Sequence, residues 1–336
     1  MSTPTTGPAR RPTIDDVAAA AGVSRGTVSR AMNGHRWVSE EARRAVEAAV
    51  RSTGYRANAH ARGLKLRRSG SVAFLLGEDV DHLFSDPNFA VLMKEVSTAL
   101  AERNIAMVLL LASSLEEQRR ALDFIGTGQI DGVMFVSWNR ELGVLDQLTS
   151  QGVPTIYCGT PVDQRSTTSY VAADDRDGAR TMTEHLLGLG RSRVVMIAGP
   201  PLGVGGLLRV DGYRDALGSD GTVVHGDWSR QSGADAMERL LADDPTIDAV
   251  FAANDLMASG AIQVLMAHGR RVPDDVAVGG FDDSAAAVAS SPTITTMRQP
   301  FPRIAREMTR LLLEQIEGQQ PAHVVLRTEF VPRESA

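Results

Sequence analysis

TIDDVAAAAGVSRGTVSRAMNG, Thr13–Gly34, reads as two short helices joined by a tight turn. Thr13 is a good N-cap for a helix beginning at Ile14, and Asp15 and Asp16 complement its positive end. Gly22 supplies a positive φ at the turn, after which Ser24 caps a second helix ending near Asn33 and Gly34. Val17, Ala21, Val23, Val28 and Ala31 fall where two crossing helices bury side chains, and Ala18 is small enough for close approach. That leaves Arg25, Gly26, Thr27, Ser29, Arg30 and Asn33 facing outward. A third helix follows in VSEEARRAVEAAVRSTGY, Val38–Tyr55, with an apolar face at Ala42, Val46 and Ala49 behind an imperfect capping box at Ser39. The competing reading is a plain helix pair with a solvated basic face. The density of matches favours a helix-turn-helix that reads DNA.

Charge separates along the chain in the same sense. Residues 1 to 70 carry 13 basic and 5 acidic side chains, net +8, so the other 266 carry 22 and 36, net −14. A small basic head on a large acidic body implies two kinds of partner, hidden in the overall −6 of the 336 residues. The opening MSTPTTGPARRP has no apolar core of a signal peptide, and no stretch approaches the roughly 18 apolar residues of a membrane span, so a cytoplasmic protein is expected. Cys158 is the single cysteine, which excludes an intrachain disulfide and a thiolate metal cluster.

From Ser71 onward, short runs rich in Val, Ile and Leu alternate with amphipathic stretches, the pattern of parallel strands feeding crossover helices. The strands are expected at SVAFLL, IAMVLLLA, GVMFVS, PTIYC, RVVMIAG, TVVH, DAVFAA and VAVGG, too many for one ordinary doubly wound sheet. The expectation is an α/β body of two similar lobes with parallel sheets and a cleft between them. The amphipathic helix from Arg303 to Glu317 then needs an apolar surface, most economically on the first lobe. The expected limits are a flexible tail at 1–11, a three-helix helix-turn-helix head at 12–57, a hinge helix or linker at 58–69 and an effector-binding, dimerising body at 70–336. Within the body, the first lobe takes about 70–170 plus 301–331 and the second about 171–298.

The chain resembles the lac repressor-type (LacI/GalR) family of transcriptional regulators from Pro12 to about Pro332. The motifs that carry the resemblance are Thr13–Gly34, GYRANAHARGL, RVDGYRDAL, FAANDLMASGA, RVPDDVAVGGFDD and TTMRQPF. It implies a helix-turn-helix head joined to a two-lobed, periplasmic-binding-protein-like effector domain. The recognition helix Ser24–Met32 would enter the major groove of double-stranded operator DNA, an imperfect palindrome. Arg30 can offer a bidentate fork to guanine, Thr27 and Ser29 can bond bases or phosphates, and Thr13, Asn33 and Tyr55 complete the head's contacts. Arg25 and Gly26 match the positions that usually set operator preference; Gly26 has no side chain, so Arg25 carries more of the readout. Asn58–Leu66 is similar to the family's hinge helix, with Asn58 and Arg62 on the DNA and Leu64 as the minor-groove wedge. Ala57 stands where a proline is usual and Gly63 lowers helix stability by about 1 kcal/mol, so the hinge is expected to order only on DNA. Arg56, Arg62, Lys65, Arg67 and Arg68 would meet phosphates.

Ligands of open α/β sheets bind beyond the carboxyl ends of strands. Asn254, Asp255, Asp282, Asp283, Trp138 and Asn139 sit at such ends, although Asp255 and Asp283 also precede helical patterns and could be N-caps. The resemblance implies effector contacts at Arg209, Asn254 and Asp282, with Asp255 beside them, Trp228 packing on the ligand, and Gln299 and Phe301 closing the pocket. Asp, Asn and Arg together suit vicinal hydroxyls, and Trp228 suits the apolar face of a sugar ring. Gly159 stands at a strand end where some sugar-binding members carry a carboxylate, and Glu78 and Asp79 in the first long loop are candidates to compensate.

The resulting expectation is a homodimeric allosteric repressor of a carbohydrate-use operon, released by a sugar or oligosaccharide, with no cofactor and no metal. The alternative is a regulator of the same family answering a purine or other small metabolite as corepressor. An enzyme is disfavoured: GPPLGVGGLL fails the G-x-G-x-x-G spacing at Leu208, no P-loop lysine follows, and the histidines show no H-E-x-x-H spacing. A periplasmic binding protein would need a signal peptide where the head stands. No heptad extension follows Phe330, which favours a dimer over a tetramer.

Overall fold

A computed structural model describes residues 12–32, 35, 37–55, 68–77, 86–137, 143–161 and 168–336. They fall into two compact units that divide between Ser69 and Gly70.

In the first unit, α1 (Ile14–Ala21), α2 (Arg25–Met32) and α3 (Glu40–Thr53) enclose a small core of Val17, Val28, Ala31, Val38, Val46 and Ala49. Thr13 caps α1 more tightly than its sequence alone suggests: it accepts from the Asp16 N–H, and the Asp16 carboxylate accepts from both the Thr13 N–H and hydroxyl, a reciprocal box. Gly22 takes φ +66° at the turn, and Ser24 accepts from the Thr27 N–H at 3.1 Å to start α2. Between α2 and the Ser39 N-cap of α3, Trp37 stands 93% exposed. The expected tail, Asn33, Gly34 and the hinge residues 56–67, with Arg56, Asn58, Arg62, Leu64, Lys65 and Arg67, lie outside the described residues.

The second unit holds two parallel sheets. The first contains β1 (Ser71–Leu76), β2 (Ala106–Leu111), β3 (Gly132–Val136), β4 (Thr155–Cys158), β5 (Ser169–Ala173) and β11 (His323–Leu326), in the order β11-β5-β4-β3-β1-β2. Alternation along β1 sends Val72, Phe74 and Leu76 to one face and Ala73 and Leu75 to the other. α4 (Pro87–Ala101) and α12 (Phe301–Ile316) cover the former face through Leu92, Val96, Ile304, Met308 and Leu312, while α5 (Leu115–Phe124) and α6 (Gly143–Ser150) cover the latter. α12 therefore lies on the first lobe, where its apolar stripe finds the surface it needs.

The second sheet is β7-β6-β8-β9, formed by β6 (Val194–Ala198), β7 (Thr222–His225), β8 (Ala249–Ala252) and β9 (Ala277–Gly279). Around it pack α7 (Asp175–Gly188), α8 (Val204–Leu217), α9 (Arg230–Asp243) and α10 (Asp255–Ala267), followed by the short α11 (Ala285–Ala289). A two-stranded antiparallel ribbon, β10 (Thr296–Arg298) with β12 (Glu329–Val331), runs beside the crossovers between the lobes.

Two expected limits shift. The first sheet runs on to Ala173 because Ser169–Ala173 is a buried strand that its flanking Ser, Thr and Asp residues disguised. The residues from Glu329 on leave the first lobe: β12 pairs with β10, and the Ser335 hydroxyl donates to the Val278 carbonyl while the Val278 N–H donates back to Ser335 O. Among the described residues, no helix is long and apolar enough to cross a membrane.

Candidate functional site

The carboxyl ends of the strands of both lobes face one cleft of about 900 Å³, part of it open to solvent. First-lobe walls are largely apolar, with Phe89, Leu92, Val136, Val171 and Ile304 around Ser137 and Tyr157. The second lobe supplies polar groups: Asp175 at the start of α7, Arg209 on α8, Asn254 after β8 and Asp282 after β9. A small convergent polar set against an apolar wall is the usual make-up of a small-molecule site.

Arg209 organises these groups. Its Nε donates to Asp175 at 2.8 Å, its Nη1 donates to the Ala253 carbonyl and reaches Asp282 at 3.4 Å, and its guanidinium lies 3.8 Å from the centre of the Phe281 ring. Asp282 also accepts from Asn88 Nδ2 and from Gln299 Nε2, each at 2.7 Å. Burial works against the charge of Arg209, but Asp175 and Asp282 outweigh it and hold the guanidinium above its ordinary pKa. Burial pushes the Asp282 carboxyl up, against the pull of Arg209 and with the charge of Asp86 adding to the rise. Asp175 and Asp86 rise for the same first reason, opposed by Arg209 in each case. One guanidinium therefore serves several crowded carboxyls, an arrangement that favours hydroxyl donors as guests over further anions.

Trp228 presents its ring to the cleft from a backbone with φ +75°. The indole lies on Gly199 and Gly206; a Cβ at Gly199 would fall 2.1 Å from the ring. Asn254 Nδ2 donates to the Trp228 carbonyl at 2.9 Å, while Asn254 Oδ1 accepts from the Met257 N–H and caps α10. The indole is thus fixed from below and from its own backbone, the geometry for stacking a flat apolar face.

The cleft brings together Arg209, Trp228, Asn254, Asp282, Gln299 and Phe301. Asp255 is not among the residues lining it. Fully buried behind Asp282, it accepts from the Ser284 N–H at 2.7 Å and the Thr296 hydroxyl at 2.6 Å, and burial followed by the neighbouring Asp282 charge raises its pKa. Asp283 likewise turns from the cleft, taking Arg298 Nε at 2.6 Å and Arg333. Glu78, Asp79, Trp138 and Asn139 lie outside the described residues. Sequence reading missed Asp86, Asn88 and Asp175. Asp175 follows β5, so the strand-end rule would have found it had that strand been read, and it supplies a carboxylate to the cleft that Gly159 also lines. Asp86 and Asn88 had a weaker signal, the N-cap pattern DPN at the start of α4.

On the head, Ser24, Arg25, Gly26 and Arg30 are exposed on one side of α2, with Thr27 and Ser29 half-buried. Arg30 Nη2 donates to Thr27 Oγ1 at 3.4 Å, and its guanidinium lies over Gly26, where a Cβ would stand 3.5 Å from Nη1. Arg25 reaches Asp15 at 3.9 Å. The Thr13 side chain is engaged in its capping box, and Tyr55 packs against the head's apolar core.

Comparison with known proteins agrees with both units. Residues 13–58 match "Bacterial regulatory proteins, lacI family", and residues 183–336 match "Periplasmic binding protein-like domain". The HTH-type transcriptional regulator CelR of Thermobifida fusca is 42% identical over 335 residues, 97% of this chain and 98% of that protein. A solved structure of a "transcriptional regulator CelR-cellobiose complex" superposes with a TM-score of 0.77 at 40% identity, covering 97% of this chain and 100% of that one. The lac repressor dimer bound to operator and the anti-inducer ONPF superposes with a TM-score of 0.87 at 25% identity, covering 97% and 99% of the two chains. With 42% identity sustained over nearly its whole length, and with a three-helix head and a two-lobed cleft of the same kind, the chain belongs to the lacI family of bacterial regulatory proteins.

Proposed function

We propose that the protein is a cytoplasmic, homodimeric transcriptional repressor whose paired heads bind an imperfectly palindromic operator and whose cleft binds an uncharged sugar that releases it. The observation that carries the sugar reading is the cleft itself, in which the Trp228 indole on its glycine floor faces Arg209, Asn254 and Asp282. A pyranose offers both an apolar face for the ring and hydroxyls for the polar set. The cellobiose complex of CelR supports a β-linked glucose disaccharide as the first ligand to try, and the repressor dimer on operator supports the assembly. In this reading Arg30 and Arg25 read bases, and the shift in lobe orientation that accompanies sugar binding lowers operator affinity by population shift.

The test is a thermal-shift screen over cellobiose, other mono- and disaccharides and purines, followed by operator footprinting with and without the hit. A shift with a sugar and loss of the footprint support the reading; a shift with a purine alone sinks it. Arg30→Ala should erase operator discrimination with sugar affinity intact. Asp282→Ala should leave the footprint in place and unresponsive to sugar.

A further inference from the structure

We propose that Asn88 is an interlobe latch that competes with the effector for Asp282 and so sets the sugar concentration at which the protein responds. Asn88 stands in the first turn of α4 on the first lobe, 8% exposed, with its own N–H donating to the Asp86 N-cap at 2.9 Å. Its Nδ2 crosses the cleft and donates to Asp282 Oδ2 at 2.7 Å. The other oxygen of that carboxylate takes Gln299 at 2.7 Å and Arg209 at 3.4 Å, groups of the crossover and the second lobe.

The backbone of Asp282 is pinned on both sides. Its backbone holds φ +105° and is followed by Asp283 at +58°, both in the left-handed region. Its N–H donates to the Met297 carbonyl at 2.7 Å and its carbonyl accepts from the Gln299 N–H at 3.3 Å, which fastens it to β10 and to the start of the crossover. Arg298 and Arg333 grip Asp283 beside it. Oδ2 is therefore approached from the first lobe by Asn88, and a sugar hydroxyl that enters between the two to donate to Oδ2 takes the place of Asn88 Nδ2.

The consequence has a definite sign. An interaction made before the sugar enters and lost afterwards stabilises only one side of the binding equilibrium, so removing it tightens binding. A residue that instead ligates the sugar has the opposite effect. This proposal rests on reading the cleft as a sugar site, and a distance measurement separates the two.

The experiment uses the full chain, with cellobiose as the probe. Calorimetry gives its Kd for wild type, Asn88→Ala and Asn88→Asp; the last keeps the start of α4 and sets carboxylate against carboxylate. Nitroxide labels at Arg119→Cys on α5 and Arg239→Cys on α9, both exposed positions, report the interlobe distance without sugar. The latch predicts that both variants lower Kd, by about tenfold for Asn88→Ala, the size of one charge-assisted hydrogen bond, and that the interlobe distance distribution broadens. A raised Kd makes Asn88 a ligand and overturns the proposal, as does an unchanged Kd with unchanged distances. If no protein binds any sugar, the sugar reading fails by itself. The Asn88–Asp282 bond as a lock between the lobes then stands if the distances broaden in the variants and falls if they do not, while its competition with sugar is overturned with the sugar reading.

Discussion

Gly199 has the clearest single-residue requirement in the cleft. A methyl group there would overlap the Trp228 ring, so Gly199→Ala must drive the indole toward the space a ligand occupies. The expected result is a sugar affinity reduced by tenfold or more with operator binding unchanged, measured by calorimetry and footprinting. Asp282 and Asp255 make a second statement at this scale. Burial raises both above their unfolded values, so the folded body holds protons that the unfolded chain releases. Their contribution to stability is full below about pH 4 and is lost as pH climbs into the neutral range. Thermal unfolding of the body at pH 5, 6, 7 and 8 should therefore show a falling midpoint, and Asp282→Asn should flatten the trend. Asn254 and Asp282 were legible as residues that follow strands, and Arg209 and Trp228 through the family resemblance; all four line the cleft. Asp255 was misplaced by one position: consecutive residues at a helix start point in different directions, and only one of Asn254 and Asp255 can face the cleft.

At the scale of elements, the head was legible almost to the residue, because its helices are short and their ends are written in side chains that cap them. Thr13→Ala removes the hydroxyl half of the α1 box, leaving the backbone N–H of residue 13 on the Asp16 carboxylate, and should cost about 1 kcal/mol of head stability, read as a lowered unfolding midpoint of the head. The double variant with Asp16→Ala should cost less than the two single variants added together, since the hydroxyl and the carboxylate share one bond. The major strands of the body were legible for the reason given by their burial, continuous Val, Ile and Leu runs. β5, β10, β11 and β12 were not. SYVAA carries two alanines and a serine, and the ribbon strands of three residues each are too short for any periodicity to register. Their identity depends on partners distant in sequence, which pattern cannot reveal.

For the whole molecule, the division between a head of +8 and a body of −14 assigns each partner a different response to salt. Operator affinity should fall about a hundredfold or more between 50 and 200 mM salt, because binding releases counterions from phosphates. Sugar affinity should stay within about twofold, since the cleft's charges are buried and already paired. Parallel titrations at several salt concentrations check both. A body of that sign should also repel DNA and so confine binding to the heads.

The tryptophans fall to either side of that division. Trp37 stands almost wholly in water on the head, and Trp228 rests on glycine backbone inside the cleft with the Arg209 guanidinium 5.7 Å from its ring. Their emission must differ in colour and in access to a dissolved quencher such as iodide. With Trp138→Phe in the background, the chain carries a native optical reporter in each unit. Stopped-flow mixing of the operator complex with sugar would then time the filling of the cleft against the departure of the DNA, and the order of events in release becomes a matter of two clocks read in one cuvette.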